Sequence, residues 1–125
     1  MTDKEYITWN QFGNAIEKMV DEYKLKQYNC DYVYGIPRGG LPFAVMLSRM
    51  LHIPIVMDLS EYDTRHLVLL TDDIADSGDT LDLHKKYFPN RIVFTMHYHK
   101  QSKIVPDFWV YEKQDKWIVY PWELE

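Results

Sequence analysis

The run Leu67-Val68-Leu69-Leu70-Thr71 is almost wholly apolar and leads directly into Asp72 and Asp73. A strand with no polar face has to be covered on both sides, as a central strand of a parallel sheet is. The same segment carries Asp72, Asp73, Asp76, Asp79 and Asp82, which is five carboxylates in eleven residues with no Lys or Arg among them. Like charges at such density cost stability. Backbone N–H groups, a divalent cation or a polyhydroxyl ligand would each offset that cost.

The remaining periodicities build an α/β chain around this strand. Thr8 and Gln11 have the spacing of a capping box, and Trp9, Phe12, Ile16, Met19, Val20 and Tyr23 recur at helical spacing after them. A helix over about 9–27 with one apolar face follows. Asp31 to Ile36 reads as a strand, Pro37-Arg38-Gly39-Gly40 as a loop, and Leu41 to Leu51 as a largely buried helix. Ile53 to Met57 predicts a second strand, with Pro54 at its start or on a sheet edge. A polar stretch, 58–66, precedes the central strand at Leu67–Thr71 and the acidic loop. A short helix over about 80–87, a strand at Arg91–His97 and two late strands at Val110–Tyr111 and Trp117–Tyr120 complete the order. This alternation predicts a single domain with a mainly parallel sheet flanked by helices, and ligands in such sheets bind outside the carboxyl ends of the strands.

Composition narrows the classes of partner. The chain has 125 residues, 46% apolar and 26% charged, with ten Tyr, five Phe and four Trp; this suits one ordered domain. Its net charge of −5 gives no basic stripe for a phosphate backbone, so no nucleic-acid partner is expected. The single cysteine, Cys30, excludes an intramolecular disulfide and a Cys-ligated zinc site. No segment has the apolar length of a membrane span, and the opening Met-Thr-Asp-Lys-Glu-Tyr is polar. The expectation is a cytoplasmic protein without a membrane partner.

Within the acidic loop, Asp76-Ser77-Gly78-Asp79-Thr80 differs from the paired Asp72-Asp73. Small residues and a glycine enter a helix whose first N–H groups point outward, an arrangement that cradles phosphate. Ser77 and Thr80 add hydroxyl donors. Carboxylates able to accept from sugar hydroxyls thus stand beside a phosphate cradle, and a sugar phosphate suits both halves. The alternative is a capped strand-to-helix turn with solvated charges. No Gly-x-x-x-x-Gly-Lys-Ser/Thr run occurs, so the loop is not a Walker A loop.

The order of apolar strand, Asp72-Asp73, two apolar residues and Asp76-Ser77-Gly78-Asp79-Thr80 resembles the 5-phosphoribosyl-1-diphosphate (PRPP) motif of type I phosphoribosyltransferases. By that resemblance Asp72 and Asp73 engage the ribose hydroxyls and, directly or through water, Mg²⁺. Asp76 lies near the reacting bond, and Asp76 to Thr80 hold the 5′-phosphate. Pro37-Arg38-Gly39-Gly40 is similar to the pyrophosphate loop of the same family; Arg38 offers a fork of donors for phosphate oxygens, and the glycines allow close backbone approach.

Pro106-Asp107-Phe108-Trp109-Val110 and Trp117-Ile118-Val119-Tyr120-Pro121-Trp122-Glu123 resemble the tail of bacterial xanthine-guanine enzymes, a small C-terminal base-binding hood. The resemblance implies that Trp117 stacks on a purine and Ile118 offers it backbone groups, while the bare sequence allows the same aromatics to pack the tail onto the core. Two departures stand out. His99, or Lys100 one residue later, occupies the position where relatives carry a lysine for the purine 6-oxo group. The segment 58–66 keeps only the start of the lid that closes over PRPP in relatives, which implies slow turnover, leaky hydrolysis or a lid from a neighbouring subunit.

The resemblance therefore implies an Mg²⁺-dependent transfer of phosphoribosyl from PRPP to guanine, xanthine or hypoxanthine, in a homo-oligomer (dimer or tetramer). The alternatives are a non-catalytic PRPP or nucleotide sensor on the same fold, and a phosphoribosyltransferase for a non-purine acceptor.

Overall fold

The computed structural model describes residues 3–123. Its element order is β1 (Lys4–Tyr6), α1 (Trp9–Leu25), β2 (Tyr32–Gly35), α2 (Leu41–Leu51), β3 (Val68–Ala75), α3 (Asp79–His84), β4 (Arg91–Tyr98), β5 (Phe108–Glu112) and β6 (Trp117–Val119), with a 3-10 turn at Leu59–Glu61 between α2 and β3. The expected α/β class holds. β2-β3-β4-β5 form a four-stranded sheet in which every neighbouring pair is parallel. All four strands therefore end at one edge.

The predicted capping box forms: Thr8 Oγ1 accepts from the Gln11 N–H at 3.1 Å and Gln11 Oε1 accepts from the Thr8 N–H at 2.8 Å. The apolar stripe of α1 is buried as its spacing requires, with Phe12, Ile16, Met19, Val20 and Tyr23 all inside. Together with α2, it covers one face of the sheet through Leu69, Phe94 and Met96. Leu81 of α3 and Phe88 cover the other face over Val68, Leu70 and Val93. Both faces of β3 are thus dry, the condition its apolar run predicts.

Four local expectations are corrected. β3 continues to Ala75, so Asp72 and Asp73 lie in the strand rather than in the loop after it; pairing with β4 persists through Ile74↔His97 and Ala75↔Tyr98. Ile53–Met57 makes only one isolated bridge, Val33↔Ile55, because Pro54 has no N–H to give a ladder. α3 is shorter than expected. β6 leaves the main sheet and pairs in parallel with β1, a strand too short and too polar in pattern to read from sequence.

The segment 58–66 folds back on the sheet. Tyr62 donates to the His66 carbonyl at 3.1 Å, and its ring meets Phe88 at 5.0 Å and Tyr32 at 6.5 Å. No described helix is long and apolar enough to cross a membrane. Replacing Thr8 with Ala removes the reciprocal cap. It should lower unfolding stability by about 1 kcal/mol, read as an earlier urea midpoint with an unchanged slope; an unmoved midpoint would contradict the capping role.

Candidate active site

The carboxyl edge of the sheet gathers four segments. After β2, Ile36 keeps the strand in register by donating to the Thr71 carbonyl at 3.0 Å, and Gly40 N–H turns back to the Ile36 carbonyl at 2.8 Å. The Pro37–Arg38 peptide bond within this turn is cis. A side chain on Gly40 would strike the Thr71 carbonyl and, at 2.6 Å, the Ile36 nitrogen; one on Gly39 would strike the Asp73 carboxylate. The two glycines therefore let the loop lie directly against the end of β3. Arg38 is exposed and lines a cavity of about 600 Å³ with Gly39, Asp73, Trp122 and Glu123. A flexible guanidinium, two carboxylates and an indole share this space.

Asp72 is 7% exposed, and its Oδ1 accepts from the Asp73 N–H at 2.9 Å. Burial, with the Asp73 charge beside it, pushes its carboxyl well above the usual range. Burial also pushes Asp73 up, with Glu123 adding to the effect. A negative charge on either carboxyl is thus expensive at this end of the strand.

The second half of the loop lies as expected at the entrance to α3. Gly78 has φ +88°, and a side chain there would meet Ser102 Oγ at 2.7 Å and the Ile104 nitrogen at 2.8 Å. Ser77 Oγ accepts from the Asp79 N–H at 3.3 Å, and the Ser77 carbonyl from the Lys103 N–H at 3.0 Å. Lys103 Nζ reaches Asp79 at 2.5 Å. Asp72 to Leu81, Ser77, Gly78 and Thr80 included, line a concavity of about 170 Å³.

At the other end, β1 takes up one edge of β6. Trp117 N–H donates to the Asp3 carbonyl and Ile7 N–H to the Val119 carbonyl, both at 2.8 Å. Backbone groups alternate sides along a strand, so the N–H and C=O of Ile118 point away from β1. Ile118 and the half-exposed Trp117 line a cavity of about 220 Å³ with Asp73, Asp76, Lys113, Tyr120 and Glu123.

Asp76 is the hub of this cavity. Its carboxylate takes Lys113 Nζ at 3.1 Å and Gln101 Nε2 at 3.3 Å, and His99 Nδ1 stands 3.8 Å away. His99 lines a neighbouring groove of about 380 Å³ together with Lys113 and Trp117. Lys100 is exposed in the turn after β4 and lines neither cavity. The structure therefore brings Asp73, Asp76, Trp117 and Ile118 together, sets His99 at the margin and leaves Lys100 outside. Lys113 and Glu123 are the site residues that the pattern of the sequence did not single out. Lys113 sits in the polar run Glu112-Lys113-Gln114-Asp115, which reads as an ordinary turn.

The electrostatics of Asp72 give a stability test. A carboxyl whose folded pKa lies above its unfolded value contributes fully when protonated, below about pH 4, and that contribution is lost as pH rises through the folded value. Asp72→Asn should therefore raise the melting temperature at pH 7 and narrow its advantage toward pH 4. A lower melting temperature for the variant at pH 7 would contradict this account.

No family model matches the chain. Among curated proteins, the xanthine-guanine phosphoribosyltransferase of Cereibacter sphaeroides is 31% identical, over 74% of this chain and 68% of that protein. The enzyme of the same name from Vibrio vulnificus is 26% identical over 99% of this chain and 92% of its own length. That alignment runs over 145 positions against 125 residues here, so the relative holds residues with no counterpart in this chain. Among solved structures, the purine phosphoribosyltransferase of Pyrococcus horikoshii superposes with a TM-score of 0.84 at 28% identity, covering 98% of this chain and 96% of that one. With the parallel sheet, the acidic end of β3 and the aromatic hood in place, the chain belongs to the xanthine-guanine phosphoribosyltransferase family of type I phosphoribosyltransferases and is a purine phosphoribosyltransferase.

Proposed function

We propose that the protein transfers the 5-phosphoribosyl group of PRPP to the ring nitrogen of a 6-oxopurine (guanine, xanthine or hypoxanthine), releasing pyrophosphate. The observation that carries the choice of base is the Asp76–Lys113 pair, 3.1 Å apart beside Trp117 and Ile118. A 6-oxopurine presents N7–H and O6 side by side on one edge. The Asp76 carboxylate accepts the first and the Lys113 ammonium donates to the second. A 6-amino group in the same place would turn N–H donors toward an ammonium that has no acceptor. Lys113 thus takes the role that the sequence pattern offered to His99 or Lys100. Trp117 supplies stacking worth about 1–3 kcal/mol for any base, and the free backbone groups of Ile118 meet the opposite edge.

In this reading Asp76 to Thr80 hold the 5′-phosphate, and Asp72 and Asp73 hold the ribose hydroxyls. Pro37, Arg38, Gly39 and Gly40 hold the pyrophosphate. Mg²⁺ belongs to the same reading, and the donor set suits it. Asp73 and Glu123, both hard oxygen donors, line one cavity, and among the described residues no cluster of three or more His, Cys, Asp or Glu forms a cage. Magnesium is usually held by one or two carboxylates with water and substrate phosphates. Asp73, with Glu123 and Asp72 near it, would hold the ion, which supplies charge neutralisation to the departing pyrophosphate when bound. The chain's own work is positioning and charge placement. The purine nitrogen forms its bond to C1 as the C1–oxygen bond to pyrophosphate breaks, and the electron pair leaves with pyrophosphate. Asp76 stabilises or accepts the N7 proton, and the carboxylates face the cationic sugar. A homo-oligomer belongs to this reading as well, and α2 leaves Val45 and Met50 exposed as surface for it.

The test is a panel of guanine, xanthine, hypoxanthine and adenine with labelled PRPP and Mg²⁺. The 6-oxopurines should yield nucleotide, adenine should not, and EDTA should stop the reaction. Asp76→Asn should lose about 10²-fold or more in kcat while retaining PRPP. Lys113→Gln should lose about 10–100-fold in kcat/KM for 6-oxopurines, the scale of one charge-assisted hydrogen bond. PRPP binding without nucleotide from any base would return the sensor reading.

A further inference from the structure

His97 and Tyr120 are buried polar side chains, 1% and 3% exposed, that the reaction as described does not use. His97 Nδ1 lies 2.9 Å from the Tyr120 hydroxyl, and that hydroxyl donates to the main-chain carbonyl of Asp73 at 3.1 Å. A phenol has one proton. With it committed to Asp73, the phenol oxygen accepts, and His97 must supply the N–H from Nδ1. Burial, then the charge of Lys113, pushes the His97 imidazole down to about 4, so the ring is neutral at assay pH.

Tyr120 also joins the two ends of the site. Its ring stacks on Trp122 at 5.3 Å and 6°, its N–H donates to Glu123 Oε1 at 2.8 Å, and it follows directly on the strand that carries Trp117 and Ile118. One side chain therefore ties β4, the acidic end of β3 and the aromatic tail. We propose that His97 and Tyr120 form a positioning dyad that fixes the base end of the site against the ribose end through the Asp73 carbonyl. The proposal rests on the base and ribose ends assigned under Proposed function. His97 lines none of the cavities described above, so its effect on a ligand passes through the side chains it touches, of which Tyr120 lines the base cavity.

The test compares a ligand that spans both ends, GMP, with one that fills only the ribose end, ribose 5-phosphate, by calorimetry. Tyr120→Phe keeps the ring and its stacking but removes the hydroxyl. It should weaken GMP about tenfold, the scale of one buried hydrogen bond, and leave ribose 5-phosphate within twofold. His97→Phe should reproduce most of that loss, and the double variant should be no worse than about twofold beyond either single one, as coupled partners require. Nitrogen-15 spectra of the wild-type histidines should place the His97 proton on Nδ1, and Tyr120→Phe should move it to Nε2. Equal shifts for the two ligands, no shift for either, or an Nε2–H tautomer in the wild type would overturn the dyad while leaving the function standing. Wild-type protein that binds neither ligand would overturn the function and the dyad with it.

Discussion

Two carboxylates inside a central parallel strand, with no cation paired to them among the described residues, are the constraint to which the rest of the site answers. Asp72 and Asp73 extend β3 past its apolar run, where Asp72 accepts from the neighbouring Asp73 N–H and burial raises both carboxyls. The fold tolerates this because all the strands end at the same edge, so the pair faces cavity rather than core on the side that matters. The glycines of the β2–α2 loop then bring backbone within touching distance of Asp73. Any bulkier residue would push the loop, and with it Arg38, away from the space they share.

As the proposed function assigns them, a ribose end and a base end, the two ends of the site have opposite electrostatic character. At the ribose end the charge is unbalanced, which suits a ligand bringing hydroxyls and a divalent cation. At the base end the Asp76 carboxylate is already matched by Lys113 and Gln101, which suits a neutral heterocycle presenting a donor and an acceptor together. An unpaired carboxylate there would favour any donor; an ammonium beside it adds a preference, because it cannot accept. The Tyr120 hydroxyl sits between these ends and donates to the Asp73 main-chain carbonyl rather than to the carboxylate of Asp73 or Asp76, so it can hold their spacing without pairing with either charge.

Much of this is legible in the sequence. The capping box, the apolar face of α1, the buried central strand and the glycine-bearing entrance to α3 are local patterns, each fixed by steric or hydrogen-bonding rules acting over a few residues. Trp117 and Ile118 were visible in the tail motif, although the reason Ile118 keeps free backbone groups was not. That reason is β1, whose three residues carry no periodicity and acquire strand geometry only by pairing with a segment more than a hundred positions away in the chain. The short strand expected at Ile53–Met57 failed for a reason that is local after all, since Pro54 withholds the N–H a ladder needs.

By itself the sequence determined the class of fold, the acidic strand end, the glycine-bearing entrance to α3 and the aromatic tail, because each depends on side-chain type at short spacing. Only the tertiary structure decided which cation faces Asp76, that Glu123 shares a cavity with Asp73, and that a buried His97 supports Tyr120. Those relations join residues from β3, β4, the β5–β6 connection and the tail, and no local preference encodes them. They arise when parallel strands of differing length bring their ends to one edge, and a lysine in a polar turn is turned inward by the packing around it.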